Sequence, residues 1–369
     1  MRIVFDHQAF SLQNTGGITR YFFELIKHFS IAENISPEVL LGFSSTIWPI
    51  KESSKPNGQA LHWGPRLISS GMITYVINEL LLNAYVLTRG QYDIYHNTLY
   101  RFMPAVRAHR FVATHHDCIQ ERFPHLFPDH GRIIRTKRRM FRQADLVLCV
   151  SEASRVDLQE FYDVEPERTR VVYNGVSPMH RSDQGRIEMK KFARRPFILY
   201  VGIRASYKNF DGLLRSFARS GLLETYDLVV IGGGSFSESE RKQIQELGLQ
   251  SCIISIPTAS AELLAEAYAI TSLLVYPSLY EGFGLPPLEA MMMATPVLVA
   301  SSPATREVCQ DAAFFFDPFD EADFVDKLIH ALHDTAARRD KIKQGSELIQ
   351  RYRWTKTADQ VLSAYRSLL

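Results

Sequence analysis

Short apolar runs alternate with segments of helical periodicity along this chain, and the alternation stops once and then restarts. The first series comprises RIVFDH, EVLLGF, YDIYHN, RFVATHH, LVLCVS and TRVVYNGV; the second comprises FILYVG, YDLVVIGGG, CIISIP, LLVYPS and TPVLVAS. Between the first two strand candidates lies ITRYFFELIKHF, whose Tyr21, Phe22, Leu25, Ile26 and Phe29 recur at helical spacing. Strands that alternate with helices form a parallel sheet covered on both faces, so the chain is an α/β protein. The interruption is SPMHRSDQGRIEMKKFARRP, polar and basic. It divides the 369 residues into a first domain at 1–178, a linker at 179–195 and a second domain at 196–353, with a closing helix at 354–369. Two such domains place a ligand in the cleft between them.

Composition narrows the class without choosing a partner. Apolar residues at 46% and charged residues at 22% suit a globular enzyme, and a net charge of +2 favours no polyanion. Cys118, Cys149, Cys252 and Cys309 are far apart and form no CxxC pair, which argues against a zinc site or disulfide framework and fits a reducing cytoplasm. The N-terminus reads directly as a strand with no signal-peptide core, so a cytoplasmic location is expected. The longest apolar stretch, residues 72–88, is broken by Asn78, Glu79 and Asn83. It falls short of the roughly 20 apolar residues of a membrane span and reads as an amphipathic helix.

The segment PSLYEGFGLPPLEAM joins a strand end to a helix start. Pro286 and Pro287 fit a first helical turn, where a missing N–H has no partner to lose. Gly282 and Gly284 allow close backbone approach, and the amides of Phe283, Gly284 and Leu285 lie toward the positive helix end, a seat for an anion. Alone, Glu289 would merely complement the helix dipole and Glu281 would be a solvated loop acid. Together beside the glycines they favour a site. A second strand end, GIRASYKN, brings Gly202, Arg204 and Lys208 to the same sheet edge, offering a planar fork and a point charge for phosphate oxygens.

These motifs resemble the retaining GT-B glycosyltransferases of family 4 (glycosyltransferase group 1, mannosyl- and glucosyltransferase-like). EGFGLPPLE resembles that family's E-x7-E signature, GIRASYKN its Arg/Lys phosphate clamp and TGGITRYFFEL its first-domain glycine loop; THHDCIQERFP resembles the loop that carries a His-Asp pair, and DAAFFFDP a common late turn. The resemblance spans nearly the whole chain. It implies a GT-B fold: two Rossmann-like parallel-sheet domains facing a central cleft, the first for the acceptor and the second for the nucleotide sugar. It further implies that Glu281, with the amides of Phe283 and Gly284, holds donor-sugar hydroxyls; that Glu289 holds the ribose; and that Arg204 and Lys208 bind the diphosphate. Gly16 and Gly17 would approach it from the first domain, and His116 would lie near the reacting carbon. The reaction implied is transfer of a hexose from a UDP- or GDP-sugar to a saccharide or lipid-linked saccharide acceptor, in surface polysaccharide or glycan biosynthesis. The resemblance also implies that the acceptor hydroxyl attacks from the face that the diphosphate leaves. Fixed cations and amides stabilise the leaving group, no fitting Asp-x-Asp motif is present, and neither metal nor cofactor is expected.

Several features depart from the pattern or admit another reading. MMMATPV places Ala294 where relatives carry glycine, which predicts a different turn or closer packing, and SSPATREV inserts a residue and carries Arg306. The run Gly232–Gly234 does not form G-x-G-x-x-G, so a dinucleotide dehydrogenase is disfavoured. Adjacent His115 and His116 lack the i, i+4 geometry of helical metal ligands, and a loop histidine considered alone is more often structural. RIIRTKRRMFRQ places Arg135, Arg138, Arg139 and Arg142 on one helix face and Ile133, Ile134, Met140 and Phe141 on another. This is either a solvated surface or a row that meets an anionic membrane or the phosphate of a lipid-linked acceptor, peripheral to the inner face of the plasma membrane. No nucleic-acid motif accompanies it. Two other functions fit the fold: a nucleotide-sugar sensor without transferase activity, and a sugar-nucleotide epimerase.

Overall fold

The computed structural model describes residues 1–12, 16–42, 59–62, 76–82, 84, 91–100 and 107–369. It divides into two compact units, Met1–Gly175 with Tyr352–Leu369, and Val176–Arg351.

The first unit is built on a seven-stranded sheet of order β3-β2-β1-β4-β5-β6-β7. Its strands are β1 (Arg2–Phe5), β2 (Ser36–Gly42), β3 (Gln59–His62), β4 (Tyr92–Asn97), β5 (Ala108–His115), β6 (Leu146–Cys149) and β7 (Thr169–Val171), all in parallel pairs. Chain order runs outward on both sides from β1 and β4. Loops leaving the C-terminal ends of these two strands therefore diverge and open a crevice, the usual ligand position in such sheets. The helix Gly17–Ile31 buries Tyr21, Phe22, Leu25, Ile26 and Phe29 against β1, as its periodicity predicts. The terminal helix Trp354–Arg366 adds Val361, Leu362 and Tyr365 to the same core, and Tyr365 is hydrogen-bonded through its hydroxyl to His96 Nδ1.

The second unit has a six-stranded sheet of order β10-β9-β8-β11-β12-β13. Its strands are β8 (Phe197–Val201), β9 (Asp227–Ile231), β10 (Ile253–Ile256), β11 (Leu273–Tyr276), β12 (Val297–Ala300) and β13 (Phe314–Phe316), again all parallel. Its order reverses between β8 and β11. The DAAFFFDP segment, expected as a turn, contains β13.

The stretch expected as a linker is structured. A helix, Asp183–Phe192, packs on the helix Ala261–Ile270, and Arg181 forms a two-pronged ion pair with the buried Glu266 at 2.8 and 2.9 Å. Polar composition concealed this because only one narrow face is covered, with Met189 fully buried and Gly185 so close to Glu262 that a Cβ would lie 2.4 Å from its carbonyl oxygen. The second unit accordingly begins at Val176. Of the apolar stretch 72–88, residues 76–82 are helical and the remainder lies largely outside the described residues. Among the described residues no helix is long and apolar enough to cross a membrane, and all four cysteines are free and buried.

Candidate functional site

The two strands at the switch of the second sheet deliver the predicted residues. β8 exits through Gly202 and Arg204 into a single turn, Ser206–Lys208; β11 exits into the loop of Glu281. The amide of Leu279 donates to the Tyr207 carbonyl at 2.8 Å, tying the two loops together. Lys208 Nζ then reaches Glu281 Oε1 at 2.5 Å, with both side chains largely buried. Tyr276 lies beside them, its ring centre 5.6 Å from Nζ. Burial first, and then the Glu281 charge, push the Tyr276 hydroxyl well above the ordinary tyrosine range, so it remains a neutral phenol.

Gly284 takes φ +93° and precedes the helix Leu285–Met292; a Cβ there would meet the Tyr276 ring at 3.4 Å. The positive φ favours glycine, while the ring contact alone would be an ordinary one. Gly282 and Phe283 are buried and Leu285 is half-buried. Glu289, one turn into the helix, is 6% exposed, and its Oε2 accepts a hydrogen bond from Tyr268 at 2.9 Å. Lys208 and Glu281 are thus paired where the two loops meet, and Glu289, bonded to Tyr268, stands on the helix that follows the Glu281 loop.

Arg204 departs from its expected placement. Its side chain is only 4% exposed and its guanidinium faces inward, to Glu240 Oε1 at 2.6 Å and to the Gly232 carbonyl at 2.7 Å. Burial pushes the Glu240 carboxyl up, but hydrogen bonds from Arg204 and from Ser237 outweigh it and hold the group below the usual carboxylate range. Ile203, next to it, takes the outward position at 54% exposure.

In the first unit, Gly16 caps the helix that begins at Gly17, which is exposed. His116 follows β5 and is 8% exposed, with its ring edge-to-face against Tyr21 and Phe22, centroids 5.6 and 6.2 Å away. Its Nε2 has no hydrogen-bond partner. Burial, then the charge of Lys137, lower its pKa to about 3, so the imidazole is neutral at physiological pH.

Lys137, in the basic helix, is fully buried. Its Nζ donates to the Asp117 carbonyl at 3.1 Å, Gln120 Oε1 at 2.8 Å and Glu121 Oε1 at 3.1 Å, and lies 4.6 Å from the Tyr100 ring centre. It braces the turn that follows His116. The signal was present in the sequence: Lys137 precedes Met140 and Phe141 by three and four residues and so shares the buried face of the helix His130–Gln143. Arg132, Arg135, Arg138, Arg139 and Arg142 occupy the exposed face. Glu240 also had a readable signal, the Ser237-x-x-Glu240 capping box. Among the described residues no three His, Cys, Asp or Glu side chains converge as metal ligands.

Two family models match in tandem. One, described as Glycosyltransferase Family 4, covers residues 15–179; the other, Glycosyl transferases group 1, covers residues 183–348. The chain belongs to the family 4, group 1 glycosyltransferases. Among its relatives, O-antigen chain mannosyltransferase B of Escherichia coli is 27% identical to this glycosyltransferase over the whole of both chains. O-antigen chain mannosyltransferase RfbU of Salmonella typhimurium is 30% identical over 52% of this chain and 53% of its own. The fold is GT-B. Sucrose-phosphate synthase from Thermosynechococcus elongatus superposes on all of this chain and 99% of its own, with a TM-score of 0.80 at 20% identity. Anabaena HepE, solved in complex with UDP-glucose, matches over the full length of both chains with a TM-score of 0.75 at 17% identity.

Proposed function

We propose that this glycosyltransferase moves a hexose, with retention and without a metal, from a nucleotide-diphosphate sugar to a saccharide or lipid-linked saccharide during surface polysaccharide assembly. The observation that carries the reading is the Lys208–Glu281 pair at the β8–β11 switch, followed by the buried Glu289 on the next helix. In this reading Glu289 accepts hydrogen bonds from ribose hydroxyls, and Glu281 from sugar hydroxyls, while Lys208 offsets the charge of the diphosphate. From the first unit, His116 offers a neutral imidazole to the sugar and the backbone at Gly16 and Gly17 approaches the diphosphate. The sugar C1–O bond to the diphosphate breaks, the acceptor oxygen bonds to C1 on the same face, and the acceptor proton passes to the departing phosphate oxygen. Likeness to two O-antigen mannosyltransferases favours mannose as the sugar and an O-antigen-like glycan as the product. The exposed arginine face of His130–Gln143 is read as a contact for an anionic membrane surface.

The test is thermal stabilisation of the wild type and of Glu289→Ala by GDP, UDP, ADP, dTDP and NAD in EDTA. Ligand at 100 times its dissociation constant adds about 2.7 kcal/mol. A shift with GDP or UDP that Glu289→Ala weakens is expected, followed by transfer that EDTA leaves intact. A shift with NAD alone refutes the reading, and binding without transfer to any saccharide or lipid-linked acceptor makes the protein a sensor.

A further inference from the structure

The carboxylate of Glu289 belongs to a closed circuit of contacts that runs outside its own helix. Tyr268, on the neighbouring helix Ala261–Ile270, donates its hydroxyl to Glu289 Oε2 at 2.9 Å. The backbone of Tyr268 is tied down as well, because its carbonyl accepts the Thr295 hydroxyl. Thr295 in turn donates its amide to the carbonyl of Ala290, the residue after Glu289, at 3.0 Å. The path from Glu289 through Tyr268 and Thr295 therefore returns to the start of the path. It passes through the left-handed turn at Ala294, φ +57°, which carries the chain back to the end of the Glu289 helix. Every member is buried, with Tyr268 at 0%, Thr295 at 3% and Glu289 at 6% exposure. Hydrogen bonds in such surroundings are strong and are not traded for bonds to water. A long acidic side chain anchored at one oxygen has also given up most of its rotamer freedom before a ligand arrives, so less is lost on binding.

We propose that Tyr268 and Thr295 are positioning residues: together they aim the Glu289 carboxylate at the ribose, so that preference for a ribonucleotide over a 2′-deoxyribonucleotide is set by two residues that act through Glu289. This rests on the ribose role given to Glu289 above and adds the residues on which that role depends. It also gives Ala294 and Thr295 of the MMMATPV segment a part in donor selection.

Tyr268→Phe deletes one oxygen and keeps the aromatic ring, and Thr295→Val deletes a hydroxyl at nearly constant shape. The quantity that tests the circuit is the ratio of dissociation constants for GDP or UDP and its 2′-deoxy form, measured by calorimetry well below each variant's Tm. The wild type is expected to prefer the ribonucleotide by about tenfold or more, the worth of one hydrogen bond to a charged group, and Glu289→Ala to abolish the preference. Tyr268→Phe and Thr295→Val should each reduce it to about threefold or less, whereas Thr295→Ser retains it. Adding Tyr268→Phe to Glu289→Ala should weaken binding no further, because both changes act at one carboxylate. A merely structural role lowers Tm and leaves the ratio unmoved. A wild-type ratio in either Tyr268→Phe or Thr295→Val therefore overturns the inference while Glu289 keeps its ribose role. A wild type that binds the 2′-deoxy form equally tightly, or a Glu289→Ala variant that keeps the preference, overturns both.

Discussion

Ala294 sits at φ +57°, in the left-handed region, just beyond the helix Leu285–Met292. The sequence predicted a different turn or closer packing there because alanine lacks the freedom of glycine. The backbone instead keeps the glycine-type ending, in which Thr295 N closes on the Ala290 carbonyl at 3.0 Å, and bears the strain. An exposed alanine in this conformation costs about 1 kcal/mol, part of which glycine returns as unfolded-state entropy. Ala294→Gly is therefore expected to stabilise the protein by about 0.5 kcal/mol, read as a higher urea midpoint at unchanged slope; a lower midpoint contradicts the strain. The local frame of the loop was legible where it depends on its own turn: Pro286 and Pro287 in the first turn of a helix, with Gly284 just before it. The inward turn of Arg204 was not legible, because its partners lie about one strand and one helix further along the chain, at 232–240.

Elements with a continuous apolar signal were equally legible, as with the helix Gly17–Ile31 and the central strands of both sheets. The edge strand β3, Gln59–His62, and the helix Asp183–Phe192 escaped because each is only partly apolar and depends on a neighbour distant in sequence. The helix His130–Gln143 shows how one element carries two opposed demands. Its arginines face water, while Lys137 is clamped beneath it against Glu121, whose carboxylate also takes the Tyr162 hydroxyl. A buried pair is strongly destabilised when one partner is removed and much less when both are replaced. Lys137→Met is accordingly expected to cost about 3–5 kcal/mol by leaving Glu121 unpaired. The double variant Lys137→Met/Glu121→Gln should regain at least half of that in urea unfolding. Equal loss in single and double variants shows that packing, and not the unpaired charge, is responsible.

At the scale of the whole molecule, a net charge of +2 conceals where charge is concentrated. Five exposed arginines between residues 132 and 142 on one helix face should bind anionic vesicles, each adding about 1 kcal/mol near the surface. Charge reversal at Arg138 and Arg139 should abolish sedimentation with phosphatidylglycerol vesicles and leave GDP affinity unchanged; undiminished sedimentation removes the membrane role. Acid stability concerns the first unit as a body, because His96, His115 and His116 are buried at the C-terminal ends of the neighbouring strands β4 and β5. Burial is the leading cause in each: it lowers His96 and His116 to about 3 and His115 well below its ordinary value, with the Lys137 charge adding to the last two. In the unfolded chain these groups titrate near 6.5. Below that pH the unfolded state takes up protons that the native state refuses, so their contribution is complete above about 6.5 and is lost as pH falls toward 3. Each histidine forfeits about 1.4 kcal/mol per pH unit in that window, so the three together remove up to about 4 kcal/mol between pH 7.5 and 5.5. The carboxylates held low, Glu240 and Glu266, titrate below this window and do not mask the effect. Urea midpoints at pH 7.5, 6.5 and 5.5 should therefore fall steepest in the last step. A flat profile would mean that all three rings admit a proton in the folded state, and with it that His116 is no longer fixed as the neutral imidazole on which its proposed contact with the donor sugar depends.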